Sequence, residues 1–543
     1  MNQKISKFQN LKNAIKNKLL LIISVPIFAA WIIFLIVLAY FAHPNYVFFD
    51  YLHNIDVTSQ YSIKIPLFRY IIEPICGLIF VVGKGNYDWL ILFLFSYPFI
   101  RFIWLLIDKY RYNWRIKYHP IIKSLKESLD FMLVLFLIFL ISILAIFGIV
   151  YSKIGAIEIA NNYHEVLHLS IWIILILTLL KFILNCFSKF IGEVIKIKRN
   201  RKINKEKFRN RTIKEYKGFK KIAHYGIWEI LTMIELIGII FFINFIGLSI
   251  KLPTQRIDVN LGPNEFLFDF HVHTVRSDGF LSPEERVNWY IEQGIKGAAF
   301  SDHFNTRGAR EAKKYVEENN LDFIVIMAQE YTADNIHLNI YGLEEEIIPD
   351  TWKAAPGSII MNVSDMIQYV KSHGGYVTVN HYDRNSTAPY SYEQLRDYGV
   401  DGFEIVNEGD LYPEEIRQFC LDNNLACMGG SDIHTNYPTN TLVKLTLPDP
   451  NNITLDAIFT ELKKNNHQVI QIKPYAENFK LNLEGWSDII DVIEDFINYL
   501  NGLDVFQLTS WIIWSYGFYI FCILIYKRLR KIELKYIEKQ IKS

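Results

Sequence analysis

Cysteine is scarce, at five in 543 residues. Cys76, Cys186 and Cys522 lie in or near apolar segments, and only Cys420 and Cys427 share a polar context. This excludes a disulfide-stapled scaffold. Cys420 and Cys427 read as buried free thiols, with a disulfide open to them only outside the cytosol. No small-residue cleavage site follows the first apolar run, 19–42, which is also longer than a signal-peptide core, so it reads as a retained anchor. No cytosolic output domain is recognisable, which counts against a membrane sensor whose barrel only binds a ligand.

Net charge is also nearly absent, at +1, but the balance hides two opposed parts. Residues 258–504 hold 40 Asp and Glu against 17 Lys and Arg, a balance of −23; the remainder is +24. Two such parts imply two environments. Apolar runs at 19–42, 89–107, 129–151, 167–187, 227–250 and 505–526 are each long enough to cross the ~30 Å hydrocarbon layer. A further stretch, 66–83, contains Arg69, Glu73 and Pro74 and reads as re-entrant, interfacial or packed on the bundle. Basic residues collect before Leu19, over Lys109–Lys126, over Lys196–Lys221 and after Tyr526. Six crossings place all four segments in the cytosol. The expected organisation is a membrane domain (1–257), an acidic domain (258–480), a linker (481–504), a last span (505–526) and a basic cytoplasmic tail (527–543). The protein would be a multi-pass protein of the plasma or inner membrane, with both termini inside and the acidic domain outside the cytosol. Glu229, Glu235 and Arg101 fall within spans, where packing or interfacial placement is the simpler reading than a transport path.

From Phe266 the texture changes. Short β-prone runs alternate with amphipathic helical ones, a pattern that argues a parallel α/β fold, with about seven units favouring a barrel. Polar residues sit at the strand ends: His271 and His273 after "FLFDF", Asp302 and His303 after "GAAFS", Glu330, His337, His381, then Asp432 and His434 after "ACMGG". In a β/α barrel such ends share one face, so residues spread over 160 positions would meet in one cavity. Residues i and i+2 of an extended segment point the same way, which lets His271 and His273 act together. Imidazole and carboxylate suit Zn, Mn and Fe, and nine such groups suit two or three ions rather than one. His373, in "KSHGGY", reads instead as the end of a helix.

The set "DFHVHTVRSDGFLSPEERV", "GIKGAAFSDH", "AQEYTADNIHLNIYG", "HGGYVTVNH" and "GGSDIH" resembles the PHP domains, named for polymerase and histidinol phosphatase, over about residues 265–434 and on to about Lys480. The resemblance is closest to the stand-alone metallohydrolase branch and does not extend to the apolar part. It implies a distorted seven-stranded β/α barrel and phosphoester hydrolysis at a two- or three-metal centre. It places the metal ligands on His271, His273, Asp278, His303, Glu330, His337, His381, Asp432 and His434. Asp302 is expected to orient a neighbouring histidine. Arg276, Arg307 and Arg384 lie near ligands, and Arg384 is the preferred phosphate clamp.

The expected function is therefore a membrane-anchored, metal-dependent phosphoesterase at the lipid bilayer. A nuclease or nucleotide phosphatase, a hydrolase of another ester, and a sensor are the alternatives. The acidic surface argues for a small phosphoester or ester substrate over long nucleic acid.

Overall fold

The computed structural model describes residues 24–42 and 46–84, separate parts of helices between 127 and 185 and between 238 and 249, and residues 251–541 apart from 334–335, 353, 355–358, 383–389, 451–452 and 475–486. The strands in chain order are β1 (Tyr46–Asp50), β2 (Ile55–Asp56), β3 (Tyr61–Lys64), β4 (Arg256–Val259), β5 (Glu265–Val272), β6 (Gly297–Phe300), β7 (Ile324–Ala333), β8 (Ile336–Tyr341), β9 (Ile347–Pro349), β10 (Ile359–Met361), β11 (Tyr376–Asn380), β12 (Gly402–Asn407), β13 (Asp410–Leu411), β14 (Ala426–Gly430), β15 (Thr441–Thr446) and β16 (Gln468–Pro474).

Seven of these form a barrel. β5, β6 and β7 are parallel; β8 runs antiparallel to both β7 and β11; β11, β12 and β14 are parallel again. The ring closes just past β14, where Asp432 N–H donates to His271 C=O (2.9 Å) and His273 N–H donates to Ile433 C=O (3.2 Å). The sheet is therefore mixed, not parallel throughout as expected. The exception is β8, which the two-residue connection after β7 forces into a hairpin, because a parallel return needs a crossover of a dozen or more residues. The lower edge of β5 pairs with β15, and β15, β16, β1 and β2 extend the sheet as antiparallel strands. β15 went unread in the sequence. Residues 46–64, assigned by their surroundings to the membrane domain, add β1 and β2 to this sheet and pair β3 with β4.

The packing follows from the strand sequences. β5, β6, β12 and β14 are buried almost throughout, as near-continuous runs covered on both faces must be. The helix Pro283–Gln293 starts at a Ser282–Glu285 capping box with Pro283 behind the cap and stops at Gly294 in the left-handed region. Both signals were legible as "SPEE…G". His373 ends the helix Val363–Ser372 and is exposed, as read. Cys420 and Cys427 are buried free thiols.

His467, buried just before β16, donates from Nε2 to Cys427 C=O (2.8 Å), and burial pushes its pKa down to about 4. The unfolded chain then binds a proton that the folded chain refuses. Between pH 6.5 and about 4, acidification is expected to cost ~3 kcal/mol through this one group. Thermal midpoints measured across that range should fall less steeply in His467→Gln, which keeps an N–H for the carbonyl.

In the apolar part, the described residues include one helix long and apolar enough to cross a membrane, Val505–Ile525, within the longer helix Val505–Ile541. Shorter apolar helices run over Ser24–Tyr40, Asp130–Phe139 and Leu169–Asn185, inside the spans read at 19–42, 129–151 and 167–187. The span 89–107, most of 227–250 and the basic segments at 109–126 and 196–221 lie outside the described residues, as do Arg101, Cys186, Glu229 and Glu235. The stretch read as a linker, 481–504, contains the helix Ser487–Asn501. The segment 66–83 forms the helix Leu67–Lys84, packed on Ser487–Asn501 and Val505–Ile541. Its charges are used internally: Arg69 Nε donates to Glu73 Oε2 (2.9 Å), and Tyr499 O–H donates to the same carboxylate.

Candidate metal centre

The mouth of the barrel is built from strand ends. His271 lies at the end of β5 and His273 just past it, the turn that follows carries Asp278, and β6 is followed by His303. Glu330 lies within β7, and His337 stands near the start of β8, which reaches the same mouth because β8 runs backwards. His381 follows β11, and Asp432 and His434 follow β14.

The two glycines beside these ligands are needed for close approach. A Cβ on Gly430 would come within 2.5 Å of His271 Cβ and 2.4 Å of Glu404 Oε1, and one on Gly279 within 2.7 Å of the His273 backbone. His381 (φ 30°) and Asp432 (φ 48°) hold left-handed backbone conformations that cost ~1–3 kcal/mol each, and strain of that kind collects at functional sites.

Four polar atoms form the buried centre: His271 Nε2, His273 Nε2, Glu330 Oε2 and Asp432 Oδ1. The nitrogens are 3.1 Å apart. His271 Nε2 lies 3.3 Å from Glu330 Oε2 and 3.4 Å from Asp432 Oδ1. His273 Nε2 lies 3.2 and 3.1 Å from the same two oxygens. Donors held at ~2.0–2.1 Å around a tetrahedral ion stand ~3.3 Å apart, so these separations fit a metal without rearrangement. A second group consists of His273, Asp278, His303 and His434, with Asp278 Oδ2 3.4 Å from His303 Nε2 and 3.3 Å from His434 Nε2. A third is Glu330, His337 and His381, with Glu330 Oε1 2.9 Å from His337 Nδ1 and 3.3 Å from His381 Nε2. Glu330 is thus common to two groups, one oxygen facing each.

The structure brings all nine residues implied by the family resemblance into these groups. Asp302, a strand-end candidate in its own right, is not among them. It accepts from Thr274 N–H (2.8 Å), Thr274 Oγ1 (2.7 Å) and Ser277 Oγ (2.7 Å), and Ser277 Oγ lies 3.3 Å from His273 Nδ1. Asp302 therefore braces the turn that carries Asp278 and reaches His273 through a hydroxyl. Arg276 pairs with Glu311, its Nε 2.9 Å from Oε2. Arg384 lies outside the described residues.

Two carboxylates escaped sequence reading. Glu404 Oε1 lies 2.9 Å from His271 Nδ1, while Oε2 accepts from His381 N–H (3.0 Å) and Asn407 Nδ2 (2.9 Å). Its only sequence signal is an acidic residue inside the apolar strand "GFEIVN". Glu408, exposed, forms a further group with Asp432 and His434. Because Glu404 fixes which imidazole nitrogen of His271 faces the cavity, Glu404→Gln is expected to weaken metal affinity ~10–100-fold, read by metal titration of the purified protein.

The electrostatics agree with a cation site. Burial opposes charge on every group here, yet the nearby histidines hold Glu330, Asp432 and Asp278 well below the usual carboxylate range. Conversely, and again against burial, Asp432, Glu330 and Glu404 raise His271 far above imidazole's ordinary value, and His273 is pushed up to about 10. A compact set of carboxylates held below their usual pKa range, with Glu330 1% and Asp432 7% exposed, offers negative charge to a multivalent ion.

Residues 269–411 match the PHP domain family. Two relatives, each named 5'-3' exoribonuclease Rnm, from Salmonella typhimurium and Escherichia coli, are 30% identical over 83 residues, 15% of this chain and 28% of theirs. The match thus spans little more than a quarter of their length. Among solved structures, a Bacteroides vulgatus two-domain protein containing a predicted PHP-like metal-dependent phosphoesterase is 22% identical, with a TM-score of 0.31 over 43% of this chain and 69% of that one. A Chromobacterium violaceum amidohydrolase is 16% identical, with a TM-score of 0.25 over 39% and 98%.

Proposed function

We propose that the PHP-like domain is a metal-dependent phosphoesterase, anchored in a membrane, with two or three Zn, Mn or Fe ions held by His271, His273, Asp278, His303, Glu330, His337, His381, Asp432 and His434. The observation that carries this reading is the buried quartet of His271, His273, Glu330 and Asp432, in which the two imidazole nitrogens lie 3.1–3.4 Å from each other and from both carboxylate oxygens, separations that suit one tetrahedral ion.

Such ions, when bound, lower the pKa of water and offset charge that grows on phosphoryl oxygens. The chain's own residues hold that arrangement in place. Glu330 offers one oxygen to each of two groups, and Glu404 turns His271 Nε2 into the cavity. Asp302, through Ser277, steadies His273 and the Asp278 turn. Arg384 is the proposed clamp for phosphate. Water would supply the new P–O bond; one of its protons would pass to the leaving alkoxide and the other remain on the phosphate.

Anchoring is supported by apolar side chains open to solvent. Leu169 (62% exposed), Leu179 (58%) and Leu184 (62%) lie on one short helix, and Ile513 (64%) and Phe518 (68%) on Val505–Ile525. Apolar surface of this extent marks a partner or a bilayer. The charge partition supports six crossings, with the acidic domain outside the cytosol. A periplasm-dependent reporter fused after Ile250 should be active; activity from a cytosol-dependent one alone would reverse the topology.

The decisive assay uses the full chain in detergent with an aryl phosphate. Turnover should require added Mn or Zn and vanish with chelator. Protein that binds these ions yet turns over no phosphoester would leave the sensor reading. One observation favours a second enzymatic reading: the sequence relatives are named exoribonucleases. It predicts cleavage of a short oligoribonucleotide in preference to the aryl phosphate, against the repulsion of a −23 surface.

A further inference from the structure

The rim of the metal mouth is seated on the apolar helices. Phe280, two residues past Asp278, packs edge-on against Phe245 at 6.4 Å between ring centroids and joins the cluster of Met132, Ile171, Ile174 and Phe242. Asn436, two residues past His434, donates from Nδ2 to Gly247 C=O (2.8 Å). Tyr437 stacks obliquely on Phe80 (4.9 Å) and donates to Phe80 C=O (3.3 Å). The two rim loops are also tied together, Phe280 N–H donating to His434 C=O (2.7 Å). Two residues of chain span at most ~7 Å. Two ligand-bearing loops are therefore within that reach of a group of packed apolar helices, of which Leu67–Lys84, Asp130–Phe139 and Leu169–Asn185 expose apolar side chains.

The contact on the helix side is equally close. A Cβ on Gly247 would come within 2.7 Å of Ile79, so the helix segment at 245–249 lies directly against Leu67–Lys84. That second helix exposes Leu67 (76%), Phe68 (59%), Ile71, Ile75 and Leu78 and is joined to Val505–Ile525 through Trp514 Nε1, which donates to Ile71 C=O (2.8 Å). The helix that exposes these apolar side chains thus touches both the candidate membrane span and, through Phe80, the rim of the site.

We propose that the substrate is a membrane amphiphile with a phosphoester head group, drawn from the bilayer surface into the metal mouth along this rim. The proposal rests on the phosphoesterase reading above and names its substrate class. The acidic domain repels a phosphoester dianion arriving from water. A head group confined to the membrane plane beside the mouth does not depend on that approach. Hydrolysis breaks the P–O bond to the lipid alkoxide, water forms the new P–O bond, and the lipid product keeps the leaving oxygen as a hydroxyl.

The test uses the full chain reconstituted in phosphatidylcholine vesicles with Mn or Zn. The probes are phosphatidic acid and phosphatidylglycerol, their water-soluble counterparts glycerol 3-phosphate and glycerophosphoglycerol, and an aryl phosphate. At least one lipid should be hydrolysed with kcat/KM at least tenfold above its soluble counterpart. Diluting that lipid tenfold with phosphatidylcholine, at constant bulk concentration, should lower the rate about tenfold. Turnover of the aryl phosphate with no preference for either lipid, or a rate blind to surface dilution, overturns the amphiphile while leaving the phosphoesterase standing. No turnover of any phosphoester overturns both.

Discussion

Glu330→Gln is expected to lower turnover of an aryl phosphate by at least ~10³-fold, or ~4 kcal/mol of lost transition-state stabilisation. The substitution is nearly isosteric, so the cavity keeps its shape. What changes is that one of the two oxygens becomes an amide nitrogen and the negative charge disappears. Glu330 is 1% exposed and has His271, His273, His303, His337 and His381 within 2.9–3.3 Å of its carboxylate. An amide cannot offer a charged oxygen to each of two neighbouring groups, so more than one ion should leave. Elemental analysis of the purified variant, beside the turnover assay, reads both effects. A variant that kept its metals and stayed within tenfold of normal turnover would show that Glu330 is not the shared ligand.

Replacing His271 and His273 together with Ala is expected to bring turnover to background and to lower bound metal. These two imidazoles supply both nitrogens of the buried quartet. Their loss also leaves Glu330 and Asp432 as adjacent buried carboxylates, which then favour protonation over metal. Folding of the variant is checked by gel filtration and near-UV circular dichroism. The contrast is His373→Ala, at an exposed helix end, where turnover should stay within ~2-fold. Equal losses in the two proteins would point to a general effect on folding, and undiminished turnover in the double variant would remove the metal centre as the site of chemistry.

Much of the site was legible because its signals are local. A metal-binding side chain at the end of a β-prone run carries its own warrant, and "HVH", "SDH", "AQE", "VNH" and "SDIH" each place donors at such an end. Asp278 is different: its turn has no periodicity of its own, and it came only from the family resemblance. Asp302 satisfied the same local rule as the true cluster members, yet it faces Thr274 and Ser277, because the backbone after β6 aims its side chain at the neighbouring turn. Glu404 was invisible for the converse reason. It sits inside a strand rather than at its end, and its importance comes from β11 pairing with β12 and from closure of the ring, which brings His271 of β5 to it across 133 positions.

By itself the amino-acid sequence determined the alternation of strand and helix, the donor types, and the division into an acidic and an apolar part. These depend on neighbours a few residues apart, where periodicity and side-chain chemistry act directly. Only the tertiary structure decided that β8 runs backwards and so delivers His337 to the mouth, that residues 46–64 complete a sheet begun two hundred positions later, and that the rim at Phe280 and Tyr437 rests on apolar helices. Apart from the β7–β8 hairpin, each of these is a long-range pairing. Its partners are chosen by which buried surfaces and hydrogen-bonding edges fit once the chain has collapsed, and no local pattern in either partner names the other.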